Sequence, residues 1–363
     1  MSSWESLGIS LKLINMCGLH PQKVKKPLFV FNFAVLVIIP GLIVTNMVLN
    51  FHLSLLEAIS YHYYVWSKFG ALLVLQRLSV AKMLETIKHF KPIDDCFSEE
   101  NVIYKKYDRM LKFYAYYVLM CLFLVTCNTF TLDTWTIFES YVPKGVPNAV
   151  LFFAEFYAAI VAYLSTVGTN ILTCTFTLCV AQQFGILKKK IQTLDLTRLE
   201  TEDDRRLCVE KLKEIIAFHI FLLKCIKQLR DMYSFPLLMQ LGGDVYLLCI
   251  HTYGITSVEL RVMDLIRHVA FNLLIITSFI FLFGYPSQLL MEESEGVGES
   301  IYCNCEWYAP NIVPIRRNLR LMVLMSQQNL TITAGGFADV NNTTVLFLIK
   351  TAYSFYTYLQ TVS

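Results

Sequence analysis

The C-terminal segment concentrates side chains that could do chemistry. Thr344, Phe347, Thr351, Ser354, Tyr358 and Thr361 recur at spacings of three and four, which puts hydroxyls and two aromatic rings on one stripe of a helix. Contact with lipid does not require such a stripe. A hydrogen-bonded helix interface would use it, and so would a water-filled path shared between copies, narrowed at its outer end by Tyr358 and a nearby aliphatic residue.

A second set of candidates is ionisable. Lys68, Arg77, Glu155, Asp244 and Lys350 stand inside apolar runs, where a charge at mid-membrane costs roughly 2.5–3.5 kcal/mol on translocon scales and must face protein or water. Arg77 and Glu155 lie toward the ends of their runs and suit ion pairing or snorkelling. Asp244 follows Gly242-Gly243, about 15 Å into its run, and needs neutralisation, hydration or a partner.

A third set is aromatic. Tyr61 to Tyr64 with Trp66, then Phe130 and Trp135, then Phe152, Phe153, Phe156 and Tyr157, and finally His268, Phe271 and Asn272 fall near one level of four apolar runs. An interfacial aromatic belt accounts for any one of them. Their clustering points to an apolar ligand pocket with few polar handles, with Tyr64, Trp66, Phe153, Tyr157 and Phe271 as its expected walls. No P-loop, HExxH, GxSxG in a suitable context or GxGxxG is present, so an enzyme is not expected and no cofactor is called for. Cys303-Asn304-Cys305 lacks the second cysteine pair or histidines of a zinc site.

The elements that must position these groups follow from composition. Of 363 residues 55% are hydrophobic and 16% charged, with a net charge of +3 and a mean hydropathy of +0.51, which indicates a membrane protein and excludes disorder and a nucleic-acid-binding face. Runs of the length a spanning helix needs, roughly 20 residues, extend over Leu28 to Leu49, Ile59 to Leu84, Phe113 to Leu132, Val150 to Phe184, Phe235 to Gly254 and Leu265 to Met291. Thr344 to Leu359 is a shorter seventh. Asn311 to Asn329 is interrupted by Pro314, Arg316, Arg317 and Arg320 and reads as a protein-packed cytosolic helix. Lysine and arginine crowd the N-terminal segment, the second and fourth loops and the sixth, so the positive-inside rule predicts a cytosolic N-terminus and, after seven crossings, an extracellular C-terminus. That is the inverse of a G-protein-coupled receptor. No cleaved signal peptide is expected. The Asn-x-Thr acceptors at Asn329, Asn341 and Asn342 then lie on the cytosolic side and are not expected to carry glycans.

The expected organisation is an all-α membrane protein: a cytosolic segment 1–26, helices one to four over 27–184, a helical cytosolic loop over 185–231, helices five and six over 232–291, a cytosolic loop with its anchor helix over 292–341, and a last helix over 342–363.

Lys350 to Leu359, Phe283-Gly284-Tyr285 through an acidic loop to Cys305-Glu306-Trp307, and Tyr233-Ser234-Phe235-Pro236 resemble segments of the insect odorant receptor family. The resemblance implies the odorant-tuning subunit of a heterotetrameric, non-selective cation channel formed with the odorant co-receptor Orco, in the plasma membrane of olfactory neurons. It also implies a volatile ligand, permeating monovalent and divalent cations, and no nucleic-acid partner. Its seventh helix would be split into an anchor half, Asn311 to Asn329, and a pore half, Thr344 to Leu359. Thr351 and Ser354 would line the pore, and the outer gate would fall near Tyr358 and Val362. Gustatory receptors share this fold, but from Tyr353 to Gln360 the chain is one residue longer than their C-terminal motif, and Thr361 replaces its Phe. A metabotropic receptor or transporter using the same aromatic cavity is the alternative from another class.

Overall fold

The structure is a computed structural model that describes residues 5–20, 26–49, 80–86, 89, 100–131, 141–143, 145–194, 201–257, 262–305, 313–328 and 330–362. Within them lie α1 (Glu5–Met16), α2 (Lys26–Leu49), α3 (Glu100–Thr131), α4 (Asn148–Gln192), α5 (Glu202–Ser257), α6 (Val262–Ser278), a π-helical segment (Phe279–Gly284), α7 (Tyr285–Asn304), α8 (Val313–Ser326), a two-stranded antiparallel hairpin of β1 (Thr333–Ala334) and β2 (Ala338–Asp339), and α9 (Asn342–Val362). Residues 80–86 are also helical.

The centre of the molecule is α4, every residue of which is buried from Val167 to Leu187. A helix that is apolar all round has no face to give to solvent, so it is packed round its circumference. It contacts α7 and α1 most extensively, and α5, α2 and α3 as well. Its buried hydroxyls need no neighbouring helix. Thr169, Thr173 and Thr177 each donate to the carbonyl four residues back, at 2.8, 2.9 and 2.9 Å, which satisfies them within the helix. Close approach comes from Gly168, where a Cβ would sit 3.0 Å from Ile14 and 3.2 Å from Leu13 of α1. The Ser10 hydroxyl donates to the Gly168 carbonyl at 2.8 Å and completes that contact. The N-terminal segment thus includes a helix docked on the middle of α4.

Residues 185–231, read as helical extension, are helical through Gln192 and again from Glu202, where α5 begins its 56 residues. The third run is also longer than its apolar part, since α3 starts thirteen residues before Phe113, at Glu100. Residues 292–304, expected as loop, continue the α7 helix to Asn304. Its charges mask an amphipathic pattern: Leu290, Ser294, Val297 and Ile301 are buried at spacings of three and four and face α4 and α8. Lys188 of α4 pairs with Glu293 of α7 at 2.7 Å across that contact.

The two C-terminal helices are separate, and the hairpin between them is fastened to α5. Arg230 Nε donates to the Thr331 carbonyl at 2.6 Å, and the Gly335 N–H donates to the Ser234 carbonyl at 2.9 Å. Pro236 lies inside α5 and lacks the N–H that would bond the Met232 carbonyl. Gly335 has φ +65°, and a Cβ there would lie 2.8 Å from Leu238, so both conformation and space call for glycine. Asn341 then caps α9, its Oδ1 accepting from the Thr344 N–H at 2.9 Å. Two of the three Asn-x-Thr acceptors, Asn341 and Asn342, are therefore part of a helix start.

Candidate functional site

The α9 helix presents the stripe seen in the sequence, and most of it points away from the rest of the chain. Val345 and Ala352 are buried, with Leu348 and Ile349 packed behind them, against α5 and the π segment. Phe347, Ser354 and Tyr358 are exposed, the two aromatic rings at 65% each. Thr351 is half-buried between the two faces. Lys350 is exposed and projects out of the bundle. Val362 is the last residue of the helix. Three hydroxyls of the stripe loop back to their own helix, Thr351 donating to Phe347 at 2.8 Å, Ser354 to Lys350 at 3.0 Å and Thr361 to Tyr358 at 2.7 Å, whereas Thr344 donates to the Asp339 carbonyl of the hairpin. The first three satisfy themselves as donors and leave oxygen lone pairs facing outward. Near its C-terminal end, Gln360 Nε2 donates to Thr256 Oγ1 at 3.3 Å and ties α9 to the end of α5.

At its other end α9 meets the π segment closely. A Cβ on Gly284 would lie 2.9 Å from Val345 and 3.0 Å from the Asn342 side chain, so any displacement of the π segment is felt by the first turn of α9. Local π geometry is common where a helix must adjust for function.

Three of the five expected aromatic walls lie among the described residues. Tyr64 and Trp66, together with Lys68 and Arg77, lie outside the described residues. Phe153 is exposed and meets Phe152 edge to face. Tyr157 turns to α2: its hydroxyl donates to Asn32 Oδ1 at 2.6 Å and its ring lies 5.6 Å from Phe31. Phe271 is buried against α5, stacked on His251 at 5.1 Å and 5°. These three face three different neighbours.

Sequence reasoning named His268 and Asn272 but missed Asn32, Tyr117 and His251, which join the helices here. Asn32 is fully buried and bridges α4 to the end of α1, donating to the Cys17 carbonyl at 2.8 Å while accepting from Tyr157. Its signal was a lone amide in an apolar run. His251 and His268 meet at 2.7 Å through their Nδ1 atoms and hold α5 to α6. Gly254 makes room, since a Cβ there would lie 3.0 Å from the His268 ring. Tyr117 of α3 donates to the Ala270 carbonyl at 2.9 Å. Next to Phe271, the Asn272 amide donates to Thr252 at 3.3 Å, while its buried Oδ1 has no partner among the described residues.

The acids Glu155 and Asp244 are engaged. Glu155 is completely buried and has a partner. Asp244 is half-buried, also partnered, and close enough to the Tyr114 and Tyr233 phenols to act on both electrostatically. Tyr233 in turn donates to Asn170 at 3.0 Å, so this carboxylate belongs to a polar junction of α3, α4 and α5. Cys303 is exposed whereas Cys305 is buried, and burial pushes the Cys305 thiol up to about 11. A thiol so held is protonated at neutral pH and is a poor metal ligand or nucleophile. No cluster of three or more metal-ligating side chains occurs among the described residues.

Three of the described helices are long and apolar enough to cross a membrane: Asn148–Gln192, Arg206–Thr256 and Val262–Asn304. The whole arrangement is similar to the insect olfactory receptor OR5 from Machilis hrabei, with a TM-score of 0.81 over 99% of this chain and 97% of that one at 13% identity. The eugenol complex of that receptor gives a TM-score of 0.78 at 14% identity, with the same coverage. Among curated proteins, odorant receptor 85b of Drosophila melanogaster is 23% identical over 63% of this chain and 54% of its own length. Odorant receptor Or2 of Anopheles gambiae is 24% identical over 59% of this chain and 56% of its own. The chain spans about half the length of the curated relatives it matches. The family model "7tm Odorant receptor" matches residues 56–353, well over half of the chain, and the chain therefore belongs to the insect odorant receptor family, whose members are multi-pass membrane receptors and not enzymes.

Proposed function

We propose that this protein is the odorant-binding subunit of a ligand-gated, non-selective cation channel, assembled as a heterotetramer with the odorant co-receptor in the plasma membrane of olfactory neurons. The observation that carries this reading is α9. A hydroxyl-bearing helix with Phe347, Ser354 and Tyr358 turned away from its own bundle is suited to a shared aqueous axis, which other subunits complete. In this reading the chain crosses the membrane seven times from a cytosolic N-terminus, α8 with α5 and α7 anchors the subunits in the cytosol, Thr351 and Ser354 line the pore, and Tyr358 and Val362 form its outer gate.

The odorant sits in the outer part of the bundle, near Tyr64, Trp66, Phe153, Tyr157 and Phe271. The unpartnered Asn272 Oδ1 beside Phe271 supplies an acceptor for a ligand hydroxyl. Eugenol, bound by the Machilis receptor, exemplifies the size and phenolic chemistry that such a site accommodates. Asp244 and Lys350 serve the assembly differently: Asp244 stiffens the junction of three helices and Lys350 faces the inner part of the pore. Binding opens the gate by favouring the arrangement in which α9 moves outward, and only contacts that differ between closed and open bundles contribute to that shift.

Whole-cell current is the test. Cells expressing this chain with the co-receptor, exposed to a volatile panel with G-protein signalling blocked, should conduct cations; cells expressing the chain alone serve as the control. Surface-expressed complexes that never conduct, but respond through G proteins, would replace this reading with a metabotropic one.

A further inference from the structure

A groove of about 580 Å³ opens between α3 and the α6–π junction. Its floor is apolar and buried, formed by Tyr107 and Tyr114 of α3 and Leu282 of the π segment, with Phe281 beside them. At its mouth stand Lys106, Arg109 and Phe113, all exposed. Their spacing of three and four residues puts them on one stripe of α3, so that two cations lead into an aromatic wall over about 10 Å of helix. The nearby Lys112 is paired with Asp108 at 3.6 Å. Lys106 and Arg109 have no carboxylate partner among the described residues, and their charge is available at the mouth of the groove.

A site with cations at one end and a buried apolar trough at the other fits an anionic amphiphile. A volatile of modest size would use the trough and leave both cations idle, and a free phosphate would use the cations and leave the trough empty. We infer that this groove holds an anionic phospholipid, its phosphate between Lys106 and Arg109 and one acyl chain along Phe113, Tyr114 and Phe281. Guanidinium recognises phosphate in a two-pronged geometry that suits Arg109 to the headgroup. The cations lie in the lysine- and arginine-rich part of the chain, so in the orientation proposed above the ligand comes from the cytosolic leaflet, which carries the anionic lipids.

The groove has a route to α9. Phe281 and Leu282 belong to the π segment whose last residue, Gly284, abuts Val345 and Asn342. Tyr107, on the groove floor, stacks on Tyr285 immediately after that segment at 4.7 Å and 14°. A bound acyl chain therefore supports the wall on which the first turn of α9 rests. This consequence depends on the channel reading, whereas binding does not.

The test uses the purified complex of the full chain with the co-receptor in lipid nanodiscs, with a photoactivatable acyl chain on either phosphatidylserine or phosphatidylcholine and crosslinks mapped to peptides. Phosphatidylserine should label the peptides bearing Tyr114 and Phe281 about fivefold more than phosphatidylcholine. The Lys106→Gln/Arg109→Gln variant should lose about tenfold of that labelling, as expected for two cations at a membrane surface. Lys105→Gln removes an exposed charge outside the groove and should keep nearly all of it. Equal labelling by the two lipids, labelling that survives the double variant, an equal loss in Lys105→Gln, or displacement of the lipid by eugenol would each overturn the proposal. Labelling is read without current, so lipid binding in a silent complex would retain the site and remove the gating role.

Discussion

α4 and α9 are built from similar materials and have opposite surroundings. Both are apolar helices with hydroxyls at spacings of three and four, and both return those hydroxyls to their own carbonyls at about the same distances. In α4 the hydroxyls are buried and the helix is enclosed by its own chain. In α9 Ser354, Phe347 and Tyr358 remain exposed. Local chemistry therefore does not distinguish a core helix from a helix awaiting partners. What distinguishes them is the complement of small and large residues. Gly168 and Gly185 let neighbours approach α4 closely, whereas α9 packs along one face only, through Val345, Leu348, Ile349 and Ala352.

The contrast can be broken from either side. The largest effect is expected at Phe176, which is fully buried on α4. Phe176→Ala should cost roughly 3–5 kcal/mol and appear as a large drop in the melting temperature of the solubilised protein, while Phe347→Ala on α9 should leave that temperature nearly unchanged. Equal destabilisation by the two would erase the distinction. Next in size is Gly168→Val, which forces α1 off α4 and should cost about 1–3 kcal/mol, read in the same melt. A smaller loss, about 1–2 kcal/mol, is expected for Tyr157→Phe, since it leaves the buried Asn32 oxygen without its donor. Adding Asn32→Leu to that variant should recover part of the loss; no recovery would show that the pair does not act as a unit.

The fold was legible in so far as it depends on hydrophobic runs, because each described apolar run became a helix close to its expected place. It was least legible where charge covers an amphipathic face. Residues 292–304 read as loop because Glu292, Glu293, Glu295 and Glu299 dominate the composition, yet the buried Leu290, Val297 and Ile301 are enough to make a packed helix. The hydroxyl stripe of α9 was visible because its period is a local property. The direction taken by Tyr157 and Phe271 was not, since it depends on Asn32 and His251, which are 125 and 20 residues away in sequence. Aromatic clustering alone does not say which rings share a wall.

The smallest structural effect is expected at Tyr358, the proposed gate residue. Tyr358→Ala should shift stability by no more than about 0.5 kcal/mol and yet change the current carried by the complex with the co-receptor, read as altered conductance or cation selectivity under voltage clamp. The orientation of the whole bundle is sharpened by the acceptors at Asn329, Asn341 and Asn342. No glycosidase-sensitive mobility shift is expected from them, and one that disappears in Asn329→Gln would place that residue outside the cell.

The most direct test of the claim that the exposed face of α9 lines a shared aqueous path is Ser354→Cys, compared with the unsubstituted receptor, treated from outside with a small charged thiol reagent during odorant-evoked current. The account predicts modification that blocks the current and proceeds faster while odorant holds the gate open. A cysteine at this position that is never modified, or is modified without any change in current, would contradict it.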